Sequence, residues 1–264
     1  MSDERTVEVD GGRIAYEVAG SGPGVVLVHA GLWDRRTWDR QFDVVATRWT
    51  VVRYDMRGYG SSSIPQAPYS DLDDLTAVMD ACGLEQASLV GCSMGGTIAT
   101  MFAIDRPERV RALVLAASGL YGHDWAVGDD WTRHGDEVEA AIAGGDLASA
   151  IDLDLRPWTP MGVEDAAGAE LRANAHDNAQ LVTIDEELSQ APEWTALDRL
   201  GEIRVPTLVM EGERDVPEFR EIARILAERI PGARLVTVPD ADHVIHVRQP
   251  GSFNRYLVEF LDGL

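Results

Sequence analysis

Residues Leu89–Gly96, with the sequence LVGCSMGG, say more about the architecture than any other segment of this chain. They join a β-rich run, Ala87–Val90, to a helical pattern that begins at Met94. A tight turn with Ser93 at its tip must therefore lie between strand and helix, and the glycines on both sides fit because a Cβ there would crowd it. This context predicts a nucleophile elbow, in which Ser93 attacks a substrate. The pentapeptide alone would also fit a glycine-rich turn with an idle serine.

Two partners for Ser93 follow later in the chain, each after a strand-like run. Asp215 comes shortly after the apolar run Val205–Met210, and His243 comes shortly after Arg234–Val238. A serine hydroxyl is a poor nucleophile near neutral pH, so an imidazole must take its proton and a carboxylate must orient that imidazole. The order Ser, Asp, His therefore predicts a catalytic triad. As alternatives, Asp215 could cap the helix that follows it, and His243 could be an ordinary loop residue.

A third element of the predicted site comes earlier in the chain. The apolar run Gly24–His29 reads as a strand, and a loop follows it. In enzymes with such an elbow, one oxyanion-binding N–H comes from this loop and one from the residue after the nucleophile. We assign these donors to Gly31 and Met94, with Leu32 as the alternative to Gly31. His29, at the end of the strand, is expected to brace the loop.

The chain resembles the α/β-hydrolase fold superfamily over nearly its full length, and within it the enol-lactonase and small-ester hydrolase branch. The resemblance implies an α/β fold with a mostly parallel eight-stranded sheet, helices on both faces and an inserted helical cap. It also implies a serine hydrolase that needs no cofactor. The residues that carry it are His29-Ala30-Gly31, Trp38, Tyr54–Ser62, the elbow around Ser93, Pro107–Val110, Gly212–Asp215 and Asp242-His243.

The sequence departs from this family pattern just before His243. Asp240 and Asp242 stand where glycines are usual. Their carboxylates are expected to favour the protonated imidazole of His243.

The periodicity changes between residues 119 and 198. This segment is helical and acidic, whereas residues 1–118 and 199–264 alternate apolar strands with helices. We predict that it is a cap over an α/β-hydrolase core formed by the two flanking parts. It carries 18 acidic residues and three arginines, hence a net charge of −15 out of −22 for the whole chain. The excess fits either a solvated surface or a lid that favours neutral or cationic substrates over dianions.

Aromatic residues of the cap are candidates for an apolar substrate pocket. Trp158 is the strongest, because it precedes a proline-containing turn and resembles the cap tryptophan of related hydrolases. Trp125 from the cap and Leu32 from the loop after the first apolar run are predicted beside it. Each of these side chains could also simply pack in a core.

Composition excludes several classes of function. All 23 basic residues are arginine, so there is no lysine for a Walker-type phosphate site or a pyridoxal-phosphate Schiff base. A net charge of −22 argues against binding to nucleic acid or an anionic membrane. The polar N-terminus and the lack of a long apolar run predict a cytoplasmic protein with a small-molecule substrate. Cys82 and Cys92 are expected to remain thiols.

Other functions remain open at this stage. Asp240, Asp242, His243 and His246 lie close together and could ligate a divalent metal. A triad could also serve carbon–carbon bond hydrolysis or cofactor-free perhydrolysis, and the fold could act as a small-molecule receptor without turnover. The substrate and the oligomeric state are not encoded in any recognisable pattern.

Overall fold

The architecture is built on one sheet. A computed structural model describes residues 4–123 and 129–264 of the chain. Within these residues eight strands form a sheet with the order β1-β2-β4-β3-β5-β6-β7-β8. The strands are β1 Arg5–Val9, β2 Gly12–Ala19, β3 Gly24–Val28, β4 Thr50–Tyr54, β5 Ala87–Cys92, β6 Val110–Ala116, β7 Thr207–Gly212 and β8 Arg234–Val238.

The strands from β3 to β8 are parallel, and only β2 runs against its neighbours. Strands β3, β5 and β7 are buried along their whole length, as expected for a parallel sheet that is covered on both faces. The predicted strand at Val205 begins only at Thr207, because Pro206 has no N–H to donate to the ladder. The predicted fold class is confirmed.

Helices cover both faces of the sheet. Side chains from α2, α3 and α8 join one buried cluster with Val26 and Val28, and those from α1 and α10 join a second with Val25 and Leu27. Alternate residues of β3 thus pack on opposite faces. The helices are α1 Asp39–Val45, α2 Asp71–Ala81, α3 Met94–Asp105, α4 Asp129–Ala143, α5 Leu147–Leu155, α6 Ala166–Asp177, α7 Ala196–Arg199, α8 Pro217–Arg229, α9 Ile245–Arg248 and α10 Pro250–Asp262.

Helices α4 to α7 lie in the chain between β6 and β7. We call this segment the helical insert. It packs onto the core through Ile151, Leu155 and Leu171, which belong to the same buried cluster as α1 and α10. The boundaries at residues 118/119 and 198/199 stay a prediction. None of the helices in the described ranges combines the length and apolar character that a membrane crossing requires.

Candidate active site

Ser93 lies in a strained backbone conformation between β5 and α3, with φ 52° and ψ −116°. Positive φ is uncommon for a residue with a side chain and persists only where the surroundings enforce it. Here the enforcement is close backbone approach. A Cβ on Gly91 would lie 2.3 Å from the carbonyl oxygen of Gly95, and a Cβ on Gly95 would lie 2.3 Å from that of Val28. Both glycines are therefore required sterically, as the sequence pattern predicted.

The backbone of Ser93 is fixed on both sides. Its N–H donates to the carbonyl of Ala116 at 3.1 Å, and its own carbonyl accepts from Thr97 and Gly119, each at 3.0 Å. The side chain of Ser93 is only half-buried. Met94 follows as the first residue of α3, where a backbone N–H has no acceptor within the helix. The turn thus presents a hydroxyl and an N–H at the positive end of a helix dipole.

Asp215 and His243 are in contact. The ring Nδ1–H of His243 donates to the carboxylate of Asp215, with Nδ1 at 3.1 Å from each oxygen. Both side chains are buried: that of His243 is 1% exposed and that of Asp215 is 0% exposed. Asp215 does not cap the next helix: Val216 is the residue before α8, and no side chain caps its N-terminus. The helix-cap alternative for Asp215 is therefore wrong.

The loops after β5, β7 and β8 are joined to one another. Arg214 donates its backbone N–H to Ala241 at 2.9 Å, and the thiol of Cys92 lies 3.8 Å from the carbonyl oxygen of His243. Burial raises the pKa of the Cys92 thiol far above its usual value, which leaves it a packing residue. The structure thus gathers the predicted triad at the carboxyl ends of these parallel strands.

The loop after β3 begins beside the turn of Ser93, because Val28 pairs with Gly91 in the sheet. His29 braces the start of this loop. Its Nε2 accepts from the N–H of Met56 at 2.9 Å, so its Nδ1–H donates to the carbonyl of Ala30 at 2.8 Å. Burial lowers the pKa of His29, which favours the neutral ring that this arrangement needs. Leu32 has a positive φ of 67°, a second strained residue near the site.

The same loop is fastened to α6 of the helical insert. The indole N–H of Trp33 donates to the carbonyl of Leu171 at 2.9 Å. Asp34 is buried and accepts from the side-chain amides of Asn174 and Asn178 at 3.0 and 2.9 Å, as well as from Arg36. Burial opposes ionisation of Asp34, but these hydrogen bonds outweigh it and hold its pKa well below the usual value.

Aromatic rings lie against His243. The ring centroid of Phe219 is 4.3 Å away in an edge-to-face arrangement, and that of Trp158 is 5.0 Å away. Trp158 and Leu32 are both partly buried against the cluster that contains α1 and α10. The structure thus places Trp158 beside the predicted triad. Trp125, the third predicted pocket residue, lies outside the described residues.

The proposed metal ligands around His243 have other partners. Asp242 is paired with Arg248 at 3.0 Å, and Asp240 is paired with Arg214. His246 is buried with its ring stacked on Trp38, the centroids 3.6 Å apart. In residues 4–123 and 129–264 no three His, Cys, Asp or Glu side chains are grouped as metal ligands would be.

The metal-site alternative is therefore wrong. Each carboxylate has an arginine partner of its own; that Asp240 and Asp242 favour the protonated ring of His243 stays a prediction.

The sequence model of the α/β hydrolase fold matches residues 23–250. This match covers most of the chain and includes the Ser93 turn, Asp215 and His243. The chain belongs to the α/β-hydrolase fold family. The predicted resemblance is thereby confirmed at the level of the superfamily.

Similar proteins in this α/β-hydrolase family are named as hydrolases of several kinds. A putative carbamate hydrolase RutD of Azorhizobium caulinodans is 30% identical over 93% of each chain. A pimeloyl-[acyl-carrier protein] methyl ester esterase of Aeromonas hydrophila is 27% identical over 94% of this chain and 99% of its own. Among solved structures, Est816, an N-acyl homoserine lactone degrading enzyme, is 27% identical with a TM-score of 0.72, and the match covers 97% of this chain and all of that one. These names support an ester-acting hydrolase.

Three features of this α/β-hydrolase site were missed from the sequence. Phe219 had a usable signal, since it is a large apolar residue in the first turn of the helix that follows Asp215. Asn174 had none, and Arg248 had none for its contact with the helical insert, because these contacts join residues far apart in the chain. Arg248 contacts Asp165 and Asn174 contacts Asp34, at separations that no local pattern reports.

Proposed function

We propose that this α/β-hydrolase cleaves a small carboxylic ester or lactone through an acyl-enzyme intermediate. The observation that carries the proposal is the buried pair of His243 Nδ1 and Asp215, 3.1 Å apart, at the sheet edge where the strained Ser93 also lies. This pairing leaves Nε2 of His243 as the ring nitrogen that can take a proton. Similar proteins named as a methyl ester esterase and as a lactone degrading enzyme support the same reaction class.

In the proposed acylation, Nε2 of His243 takes the hydroxyl proton of Ser93 as the serine oxygen attacks the substrate carbonyl. Asp215 stabilises the imidazolium that forms. The N–H groups of Gly31 and Met94 donate to the tetrahedral oxyanion, a contribution of about 3 kcal/mol for each donor. As the carbon–oxygen bond breaks, His243 returns its proton to the leaving alcohol. Water, activated by the same imidazole, then releases the acid and regenerates Ser93.

The surroundings of His243 favour an apolar acyl group without charge. Phe219 and Trp158 contact the ring, and Leu32 directly follows the proposed donor Gly31 in its loop. Apolar walls with a few oriented polar groups are typical of small-molecule sites. The excess acid of the helical insert adds to this preference by disfavouring dianions.

The test is burst kinetics with p-nitrophenyl acetate and butyrate. We expect wild-type protein to release one p-nitrophenol per enzyme in a fast phase, and Ser93→Ala to lose the burst and at least about 10³-fold in turnover. Ser61→Ala, which removes an exposed loop hydroxyl, should keep both. The burst and the turnover of the wild-type protein should also survive treatment with EDTA.

Turnover that survives Ser93→Ala would refute the mechanism. A folded wild-type protein with neither burst nor turnover on an ester and lactone panel would favour a ligand receptor instead.

A further inference from the structure

Arg248, at the end of α9, is a buried arginine that no step of the proposed reaction uses. Its side chain is 1% exposed, and its guanidinium contacts three acceptors. The Nε lies 3.1 Å from both carboxylate oxygens of Asp242, one Nη lies 2.8 Å from Asp165, and the other lies 2.6 Å from the carbonyl oxygen of Gly162. The guanidinium spreads its donors over three nitrogens, so it can reach acceptors on three separate groups at once, whereas the single nitrogen of a lysine cannot.

Asp242, one of the three partners of Arg248, lies directly beside His243, the predicted general base. Asp242 precedes His243 and is fully buried. Its carboxylate also accepts the backbone N–H of Met161 from the helical insert at 3.3 Å. Burial raises the pKa of Asp242, while the hydrogen bond and charge of Arg248 act in the opposite direction. A single substitution of Arg248 would leave this carboxylate buried without its cation.

Asp165, another partner of Arg248, belongs to the helical insert. Asp165 caps α6 by accepting the N–H of Gly168 at 2.6 Å. Asn174 in the last turn of α6 and Asn178 directly after it bind Asp34 in the loop after Gly31. One helix therefore contacts the loop that carries the proposed oxyanion donor and is linked through Arg248 to the loop that carries His243.

We propose that Arg248 is a positioning residue for His243. By joining Asp242 to the start of α6, it sets the loop of His243 relative to Ser93 and to the helical insert. The hydrogen bonds of Arg248 within the described residues go to Asp242, Asp165 and Gly162 and include neither Asp215 nor the ring of His243, so Arg248 acts through the backbone of residue 242 and its neighbour. The inference rests on the proposed function, because its readout is acyl transfer at Ser93.

The first test compares Arg248→Met with Arg214→Met. Arg214 also pairs with an aspartate of this loop, Asp240, but both partners are more than half exposed. We expect Arg248→Met to lower kcat for p-nitrophenyl acetate about 30-fold, with KM changed less than about threefold, because misplacement of a reacting group costs transition-state and not ground-state interactions. Arg214→Met should change kcat by less than about twofold.

Two milder variants separate positioning from folding. Arg248→Lys keeps a cation beside Asp242 but cannot reach three acceptors, so we expect the thermal midpoint to return towards wild type while kcat stays about 10-fold low. Asp165→Asn keeps the cap on Gly168 and removes only the charge that faces Arg248. We expect it to lower kcat about threefold without a large change in KM.

Full kcat in both milder variants would overturn the proposal, even if Arg248→Met were too unstable to purify. Ser93→Ala belongs in the same panel. If it keeps turnover, the proposed function fails and the positioning role fails with it. If it abolishes turnover while the Arg248 and Asp165 variants keep wild-type kcat, only the positioning role fails.

Discussion

The turn of Ser93 and the two loops that are linked to the ends of α6 are held in place by different kinds of interaction. The turn is shaped by backbone contacts among residues close in the chain or in adjacent strands, with Gly91 and Gly95 providing the clearance. The two loops, Gly31–Asp34 and Asp240–His243, are held by the buried side chains of Asp34 and Asp242, whose partners come from other elements: Asn174 of α6 for Asp34, and Arg248 of α9 for Asp242. The proposed active site thus depends on steric fit at the turn of Ser93. At the loops that carry His243 and the proposed oxyanion donor, it depends on buried polar networks.

The two constructions respond differently to substitution. A backbone turn fails when atoms are added, since nothing near it can move aside. A buried polar network fails when one partner is removed, since the others are left without hydrogen bonds in a site that water does not reach.

Gly95→Ala should have the largest effect, because it tests the steric half of this comparison. The new Cβ would lie 2.3 Å from the carbonyl oxygen of Val28, a backbone atom of the central sheet. We expect the free energy of unfolding to fall by about 3 kcal/mol, measured by urea denaturation. Gly251→Ala in α10, where a Cβ meets no atom within 4 Å, should change it by less than about 1 kcal/mol. Equal losses in the two variants would contradict the steric account.

Asp34→Asn tests the polar half. The substitution keeps the shape of the side chain but removes the charge that accepts from Arg36, Asn174 and Asn178, and it turns an amide towards donors. We expect a loss of about 2 kcal/mol in the free energy of unfolding at pH 7. The loss should shrink in acid, because the stability that a lowered carboxyl pKa provides disappears as pH falls through the folded-state pKa.

The matched control is Asp177→Asn, which removes an exposed partner of the same Arg36. Its effect should stay below about 0.5 kcal/mol. A control that costs as much as Asp34→Asn would show that the pairing with Arg36, and not burial with the two asparagines, gives Asp34 its importance.

His246→Phe should have the smallest effect at neutral pH, and it sharpens the comparison through the pH dependence of stability. Burial lowers the pKa of His246 to about 3 in the folded state, against about 6.5 unfolded. The unfolded chain therefore binds the extra proton between these values, and stability falls as pH decreases through that window. We expect His246 to account for about 2 kcal/mol of the stability lost between pH 7.5 and 5.

In His246→Phe this share should vanish, because phenylalanine fills the space between Trp38 and Phe253 without titrating. Urea denaturation of both proteins at the two pH values measures it. The same loss on acidification in both proteins would exclude His246 as its source.

The acidic excess of the helical insert has a structural role that the net charge alone does not reveal. In the sequence it fitted either a solvated surface or an electrostatic filter. In the structure, three carboxylates on or next to α6 bind arginines of the core, and part of the excess charge therefore attaches the insert. The pairs are Arg36–Asp177 at 2.8 Å, Arg40–Glu170 at 2.7 Å and Arg248–Asp165 at 2.8 Å.

The features that could be predicted are those with a local signature. Apolar runs predicted the strands, and the glycines around Ser93 predicted the strained turn, since both patterns can be recognised within a few consecutive residues. The alternation of strands and helices in chain order then predicted Asp215 and His243 at one edge of the sheet, because parallel strands end there together.

Tertiary structure alone decided which side chains complete the site. Asp242 looked like a metal ligand or a source of charge for His243, and it became the partner of Arg248. His246 looked like a second ligand, and it became a neutral ring stacked on Trp38. The physical reason is the same in both cases: the state of a buried polar group depends on the groups that replace its water, and those groups come from elements that only folding brings into contact.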